Sequence, residues 1–330
     1  MTANAADRLI QHYVDNFRQL PWRSPPGSPA PDPYVVWLSE IMLQQTTVAT
    51  VVPRFERFLD RWPTIEALAA ASDAEILSEW AGLGYYARAR NLIACARAVA
   101  ARGSFPTSAA ELRQLPGIGG YTSGAIAAIA FGEPAPAVDT NIERVLARLD
   151  GMSVAERAAI DRQLRAMMEG HRPGDVVQAL MDVGATICRP RQPRCGQCPL
   201  RSDCRACASG EPEAFPERSQ RKARPHRYGT AWWIERDGRL WLVRRPAKGL
   251  LGGMAALPGT DWTEEPSRAS GSVGHIRHVF THFSLDLTLE RRAQPVGDGW
   301  WQPLDRLDEA GLPTLYRRAA ALVLKPRLAA

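Results

Sequence analysis

Between residues 5 and 205 apolar side chains recur at helical spacing in Ala- and Leu-rich segments, which Pro and Gly interrupt over 21–33, at Pro63, over 103–106 and over 116–120. No run alternates as a strand does, so residues 1–207 are expected to form an all-α domain. Residues 208–227 are polar, charge-dense and Pro-containing, the composition of an interdomain linker. Beyond them the period changes from that of a helix to that of a sheet. Thr230–Glu235 and Arg239–Arg245 flank Asp237-Gly238, a pair suited to a tight hairpin turn. Phe283, Leu285, Leu287 and Leu289 alternate with Ser284, Asp286, Thr288 and Glu290. Residues 228–330 are therefore expected to form an α+β domain.

The chain's 330 residues, 45% apolar and 23% charged, suffice for two domains with real cores and exclude a disordered chain. A net charge of +6 favours an anionic partner such as nucleic acid. Almost all the basic charge is arginine. Lysine occurs only at Lys222, Lys248 and Lys325, so the helical domain has none. No apolar run reaches the ~20 residues that span a bilayer, and the first ten residues lack the apolar centre of a leader. A cytoplasmic monomer without membrane association is the expectation.

Four of the six cysteines, Cys188, Cys195, Cys198 and Cys204, follow the spacing C-x6-C-x2-C-x5-C. One short loop thus presents four soft thiolates to a single centre, and the spacing alone leaves zinc and an iron–sulfur cluster both open. Cys95 reads as an inert core thiol, and Cys207 has no evident partner. Two isolated acids stand out in the helical half. Glu40 is the only charged side chain from Tyr34 to Val52; it lies either on a solvent-facing stripe or buried, where loss of hydration would let it keep a proton near neutral pH. Asp139 precedes Thr140-Asn141-Ile142-Glu143, which suits a helix entrance as well as a catalytic carboxylate. Gly117 and Gly119 in Leu115-Pro116-Gly117-Ile118-Gly119-Gly120 expose backbone N–H groups beside a helix start, a ready anion site.

The cysteine spacing and the Leu-Pro-Gly-Ile-Gly hairpin resemble the helix-hairpin-helix DNA glycosylases of the endonuclease III superfamily. In that superfamily an essential Asp lies about twenty residues beyond the hairpin, as Asp139 does here. LPWR at 20–23, VWLSEIMLQQT at 36–46 and GLGYYARARN at 82–91 are similar to its adenine-excising members, and the likeness runs from about residue 8 to 207. The resemblance implies base excision repair, with adenine removed opposite 8-oxoguanine or guanine in double-stranded DNA. It implies a 4Fe-4S cluster on Cys188, Cys195, Cys198 and Cys204. It assigns Glu40 to protonate N7 of a flipped adenine, Asp139 to stabilise or trap the sugar cation, and Asn141 and Tyr121 to support them. Trp22, Arg23, Leu43 and Gln178 would line the adenine pocket. Tyr85 would wedge the duplex, Leu83 would help recognition, Gln45 and Thr46 would contact the opposite base, and Gly117 and Gly119 would grip the backbone. Strand-cleaving relatives carry a lysine where this chain has Tyr121, so base release without lyase action is expected.

Residues 228–330 resemble the MutT-like, Nudix-fold domain with which such enzymes recognise 8-oxoguanine. Arg244-Arg245-Pro246, the glycine run 249–253, Leu257-Pro258 and the segment 278–283 carry the likeness. By analogy Phe280, Thr281 and His282 form the reading loop, with Thr281 where many relatives have Ser. No Arg-Glu and Glu-Glu metal helix follows Gly253, and Glu264-Glu265 runs into Pro266, so no nucleotide pyrophosphatase activity is expected. His275, His278 and His282 read as sheet residues and not as metal ligands.

Overall fold

A computed structural model describes residues 3–217, 224–246, 249–266, 271–280 and 282–328. Its helices are α1 (Ala3–Asp15), α2 (Pro33–Leu43), α3 (Val48–Arg61), α4 (Ile65–Ala70), α5 (Asp73–Glu79), α6 (Tyr86–Arg102) and α7 (Ala109–Leu112). They continue with α8 (Gly120–Phe131), α9 (Thr140–Asp150), α10 (Arg157–Met168), α11 (Pro173–Asp182), the short α12 (Arg205–Ala208) and α13 (Thr314–Leu328). The strands are β1 (His226–Trp233), β2 (Glu235–Arg236), β3 (Arg239–Arg244), β4 (Ala255–Ala256), β5 (Ser272–Val279), β6 (Ser284–Arg291) and β7 (Gly299–Pro303). The chain divides into two compact units: Met1–Ala71 with Asn91–Gln220, and Ser72–Arg90 with Arg221–Ala330.

At the centre of the first unit α2 packs against α8, and α11 packs against α8, α1 and α9. Both α2 and α8 are buried over most of their residues, which is why neither shows a polar stripe. Local chemistry sets where they begin. Asp32 caps α2 by accepting from Tyr34 N (2.7 Å), and Pro33 occupies the first turn, where its missing N–H costs nothing. No side chain caps α8, whose first residues follow the glycine hairpin directly. In that hairpin Ile118 is buried while Gly117 and Gly119 face outward. Gly117 is at φ +74°, and a Cβ there would lie 2.5 Å from that of Asn91, so both conformation and space demand glycine. The segment after α11 runs on as one π-turn, Val183–Ile187, into the cysteine loop.

The second unit contains two sheets. In one, β6 lies between β1, to which it is parallel, and β5, to which it is antiparallel; in the other, β3 pairs with β2, β4 and β7. Asp237 (φ +48°) and Gly238 (φ +69°) turn β2 into β3. Leu285, Leu287 and Leu289 of β6 are buried with Trp233, Leu240, Leu242, Leu315 and Ala319 in one core. Their neighbours Ser284, Asp286 and Thr288 are half-buried on the other face. Between 249 and 280 the described residues contain no helix. In Ser72–Arg90 the capping box of Ser72 and Glu75 starts α5, and Gly82, Gly84 and Tyr85 all take positive φ at a tip.

Candidate active site

A cavity of about 690 Å³ in the first unit gathers residues from separate stretches of sequence. Glu40, Leu43, Gln45 and Thr46 come from α2 and its C-terminal exit, Trp22 and Arg23 from the segment before it, and Tyr121 from the first turn of α8. Asp139 and Asn141 come from the start of α9, and Gln178 from α11. The structure thus brings all ten of these sequence-selected residues to one wall or another of the same cavity.

Glu40 is buried, 6% exposed, and so does not lie on a solvent stripe. Loss of hydration pushes its carboxyl up to about 7, with Asp139's negative charge adding to the rise. Tyr121, whose hydroxyl donates to the Glu40 carboxyl group, and the Arg23 guanidinium pull the other way. The Tyr121 hydroxyl itself is raised well above the usual phenol range, first by burial and then by the two acids, so it remains a donor. Asp139 is held by hydrogen-bond donors. Its Oδ1 accepts from the backbone N–H of Asn141 (2.9 Å) and Ile142 (2.7 Å), and its Oδ2 accepts from Asn141 Nδ2 (2.9 Å). Asp139 therefore does cap α9, and the same three donors and the helix N-terminus make a pocket for negative charge. A buried acid whose carboxyl is pushed up to about 7 thus faces the same cavity as an Asp side chain held by three N–H donors.

Arg23 forms an ion pair as well as lining the cavity. Its Nη1 donates to Asp182 Oδ2 (2.7 Å), and Arg18 Nη1 donates to Oδ1 of the same carboxylate (3.0 Å). Trp22 is buried edge-on against Phe55, with ring centroids 5.1 Å apart. Gln178 Nε2 donates to Gly174 O (3.1 Å), which fixes the amide's direction. Gln45 is exposed at φ +57° just past the end of α2. Sequence reasoning missed Asp182, the common anchor of two arginines, and also Arg144. Arg144 Nη2 donates to Asn141 Oδ1 (2.9 Å) and Gly184 O (2.7 Å), and its Nε donates to Cys188 O (2.8 Å). A continuous set of hydrogen bonds therefore runs from the Asp139 carboxylate to the first cysteine of the loop. The signal for Arg144 was its place one helical turn beyond Asn141.

Cys188, Cys195, Cys198 and Cys204 line a second, small cavity together with Cys207 and Arg148. Arg148 is 2% exposed and donates to Arg189 O (2.7 Å), Pro190 O (3.2 Å), Phe215 O (2.9 Å) and Cys188 Sγ (3.4 Å). Burial pushes the Cys198 thiol up to about 12 and raises those of Cys195 and Cys204, so a bound metal group is what would keep them as thiolates here. Among the described residues no three His, Cys, Asp or Glu side chains converge tightly enough for a single metal ion. An all-thiolate set lining one cavity is the donor chemistry that zinc and iron–sulfur clusters share. Cys207, which had no evident partner in the sequence, has its thiol against Cys195.

In the second unit the glycine-flanked tip presents Tyr85, 47% exposed, while Leu83 is 4% exposed. Trp80 Nε1 donates to Gly84 O (3.0 Å), and Arg88 Nη2 donates to Leu83 O (2.9 Å) beneath the tyrosine ring. Phe280 is stacked on Trp262, with centroids 5.6 Å apart and planes at 25°, and forms a T-shaped pair with His278, with centroids 4.5 Å apart. His282 is exposed, and Thr281 lies outside the described residues. His275 is held by Ser272 Oγ (3.2 Å) and Thr288 Oγ1 (3.1 Å), as a sheet residue.

Residues 38–169 match the HhH-GPD superfamily base excision DNA repair proteins, and residues 230–322 match the NUDIX domain. The adenine DNA glycosylase of Buchnera aphidicola subsp. Acyrthosiphon pisum (strain APS) is 36% identical over 297 residues, which cover 84% of this chain and 83% of the relative. That of subsp. Schizaphis graminum (strain Sg) is 29% identical across 95% of this chain and 97% of its own. The human adenine DNA glycosylase is 34% identical over 84% of this chain, which spans 64% of the human protein's length and 48% of the Arabidopsis thaliana one's. Among solved structures, a thermostable thymine-DNA glycosylase superposes with a TM-score of 0.56 at 29% identity, covering 62% of this chain and 95% of that one. A trapped endonuclease III–DNA covalent intermediate superposes at 0.54 with 24% identity, covering 64% of this chain and 99% of that one, a likeness of fold. The chain thus combines a helix-hairpin-helix glycosylase domain with a Nudix-like domain and belongs to the adenine DNA glycosylase family.

Proposed function

We propose that the protein hydrolyses the N-glycosidic bond of adenine paired with 8-oxoguanine or guanine in duplex DNA, and that it releases the base without cutting the strand. The observation that carries the reading is the pairing of Glu40, protonated up to about pH 7, with the N–H-bound Asp139 in one cavity. Departure of adenine from deoxyribose needs a proton on the leaving base and negative charge beside the oxocarbenium-like sugar. Glu40 gives its proton to N7 of an adenine turned out of the helix. Asp139, oriented by Asn141, then faces the cation, and Glu40, now a carboxylate still hydrogen-bonded by Tyr121, takes a proton from the attacking water. Tyr121 stands where a lyase needs an amine, and the first 221 residues offer no lysine to replace it.

Trp22, Arg23, Leu43 and Gln178 hold the adenine, and Asp182 fixes Arg23 in that role. Gly117 and Gly119 take the DNA backbone on exposed N–H groups, and Tyr85 fills the gap that a flipped base leaves. Leu83 helps recognition, and Gln45 and Thr46 serve the opposite base, as do Phe280, Thr281 and His282 from the second domain. We assign a 4Fe-4S cluster to Cys188, Cys195, Cys198 and Cys204; when bound it ties the loop into one rigid unit. The domains are taken as 1–207 and 228–330, joined by 208–227, in a cytoplasmic monomer.

A single-turnover assay on a duplex with one adenine opposite 8-oxoguanine tests the reading. Strand breaks only after hot alkali are expected, with Glu40→Gln and Asp139→Asn binding the duplex but releasing no base. Breaks without alkali would establish a lyase, and full activity in either variant would remove the mechanism.

A further inference from the structure

Five cysteines line the cavity that four would suffice to explain. The fifth, Cys207, lies on α12 in the turn that follows Cys204, and the buried Ala206 anchors that turn. The backbone N–H groups of Ala206 and Cys207 point to the Cys204 sulfur. Cys207 is therefore held in register with an assigned ligand, and its own thiol rests against the side chain of another, Cys195. Cys195 itself is half-buried, like the other three assigned ligands, but the residues next to it are not. It opens a 3-10 turn, Cys195–Gln197, and Arg194, Gly196 and Gln197 around it are all exposed. The sixth cysteine, Cys95, is 1% exposed in α6 and does not line this cavity.

We propose that Cys207 is a reserve iron ligand that takes over the iron of Cys195, an inference that rests on the 4Fe-4S reading above. The exchange balances without an oxidant or a reductant. The Cys207 sulfur bonds the iron that the Cys195 sulfur leaves, and the proton given up by Cys207 passes to Cys195, so one thiolate and one thiol remain. Loss or damage of Cys195, whose sequence neighbours are exposed, then leaves the cluster four-coordinate in cysteine.

The test compares full-length wild type, Cys195→Ala, Cys207→Ala, Cys198→Ala and the double variant Cys195→Ala/Cys207→Ala, each reconstituted with iron and sulfide. Iron and sulfide per chain, the visible absorption and the rate of iron loss to a chelator are read. Wild type, Cys207→Ala and Cys195→Ala are expected to keep four irons, whereas Cys198→Ala does not. The double variant is expected to lose iron roughly tenfold faster than Cys195→Ala. Folded Cys195→Ala without a cluster, or a double variant that matches Cys195→Ala, overturns the proposal. Should Cys195→Ala fail to fold, alkylation of the loaded wild type after limited oxidation decides. Label on Cys195 with Cys207 protected supports the exchange, and label on Cys207 alone overturns it. A wild type that assembles no cluster overturns the underlying reading, and the exchange with it.

Discussion

Replacing Tyr121 by Phe removes one hydrogen-bond donor from a buried acid and leaves the ring in place. The Tyr121 hydroxyl stabilises the charged form of Glu40, whose carboxyl sits at about 7 with that donor present. A hydrogen bond to a charged group contributes about 1.5–3 kcal/mol, and one pH unit corresponds to about 1.36 kcal/mol, so the Glu40 pKa is expected to rise by about 1–2 units. In the proposed reaction base release uses the protonated acid, so its rate falls as pH rises through that pKa. In Tyr121→Phe the alkaline midpoint of the single-turnover rate should therefore move upward by the same amount, toward about pH 8–9. The assay is adenine release from pre-bound duplex across pH, read as alkali-labile breaks. A midpoint that stays in place or moves downward refutes the role given to the hydroxyl, and a rate lowered equally at every pH marks only a packing defect.

Glu40→Gln should stabilise the fold at alkaline pH, because the native state holds a proton on Glu40 that the unfolded chain releases from about pH 4.5 upward. Stability of the wild type is thus lost as pH rises through the window from about 4.5 to about 7. The variant should gain about 3 kcal/mol at pH 8 and nothing toward pH 4.5, by denaturant unfolding; an equal change at both ends contradicts it. Gly184→Ala would set a Cβ 2.6 Å from that of Asn141, so it should cost about 1–3 kcal/mol and slow base release by shifting Asn141 from Asp139. Unchanged kinetics would show that Asn141 needs no such close fit. Leu287→Ala, at a position 1% exposed in the β6 core, should cost about 2–5 kcal/mol, and a loss under about 1 kcal/mol would mean that the sheet collapses onto the space.

What could be read from the chain alone was local chemistry. The alternation in β6, the Asp237-Gly238 turn and the glycine hairpin each depend on residues close in sequence, and each takes the expected form. The burial of Glu40 was undecidable because α2 has almost no polar face to set the phase of the helix, and only the packing of α8 against it settles the question. Asp182 gave no sign of holding Arg18 and Arg23, since 159 residues separate it from the nearer of them. The parallel pairing of β1 with β6 joins strands some sixty residues apart, and the association of Ser72–Arg90 with the C-terminal residues is longer still. Contacts of that kind have no short-range signature, because they arise from how finished elements pack and not from the propensity of any one segment.

The double duty proposed for Asp139, helix cap and catalytic carboxylate, bears on how such a protein decays in evolution. Ser, Asn and Asp cap helices about equally well, so a change to Ser or Asn at this position keeps α9 capped while deleting the negative charge. Selection for a folded chain does not oppose that change; only selection for the reaction does. In the proposed reaction a lineage therefore stands one codon away from a protein that folds and binds the duplex without releasing the base, and such an allele would compete with the active copy for the same sites. Silent loss of function by misfolding is not the path that this position opens.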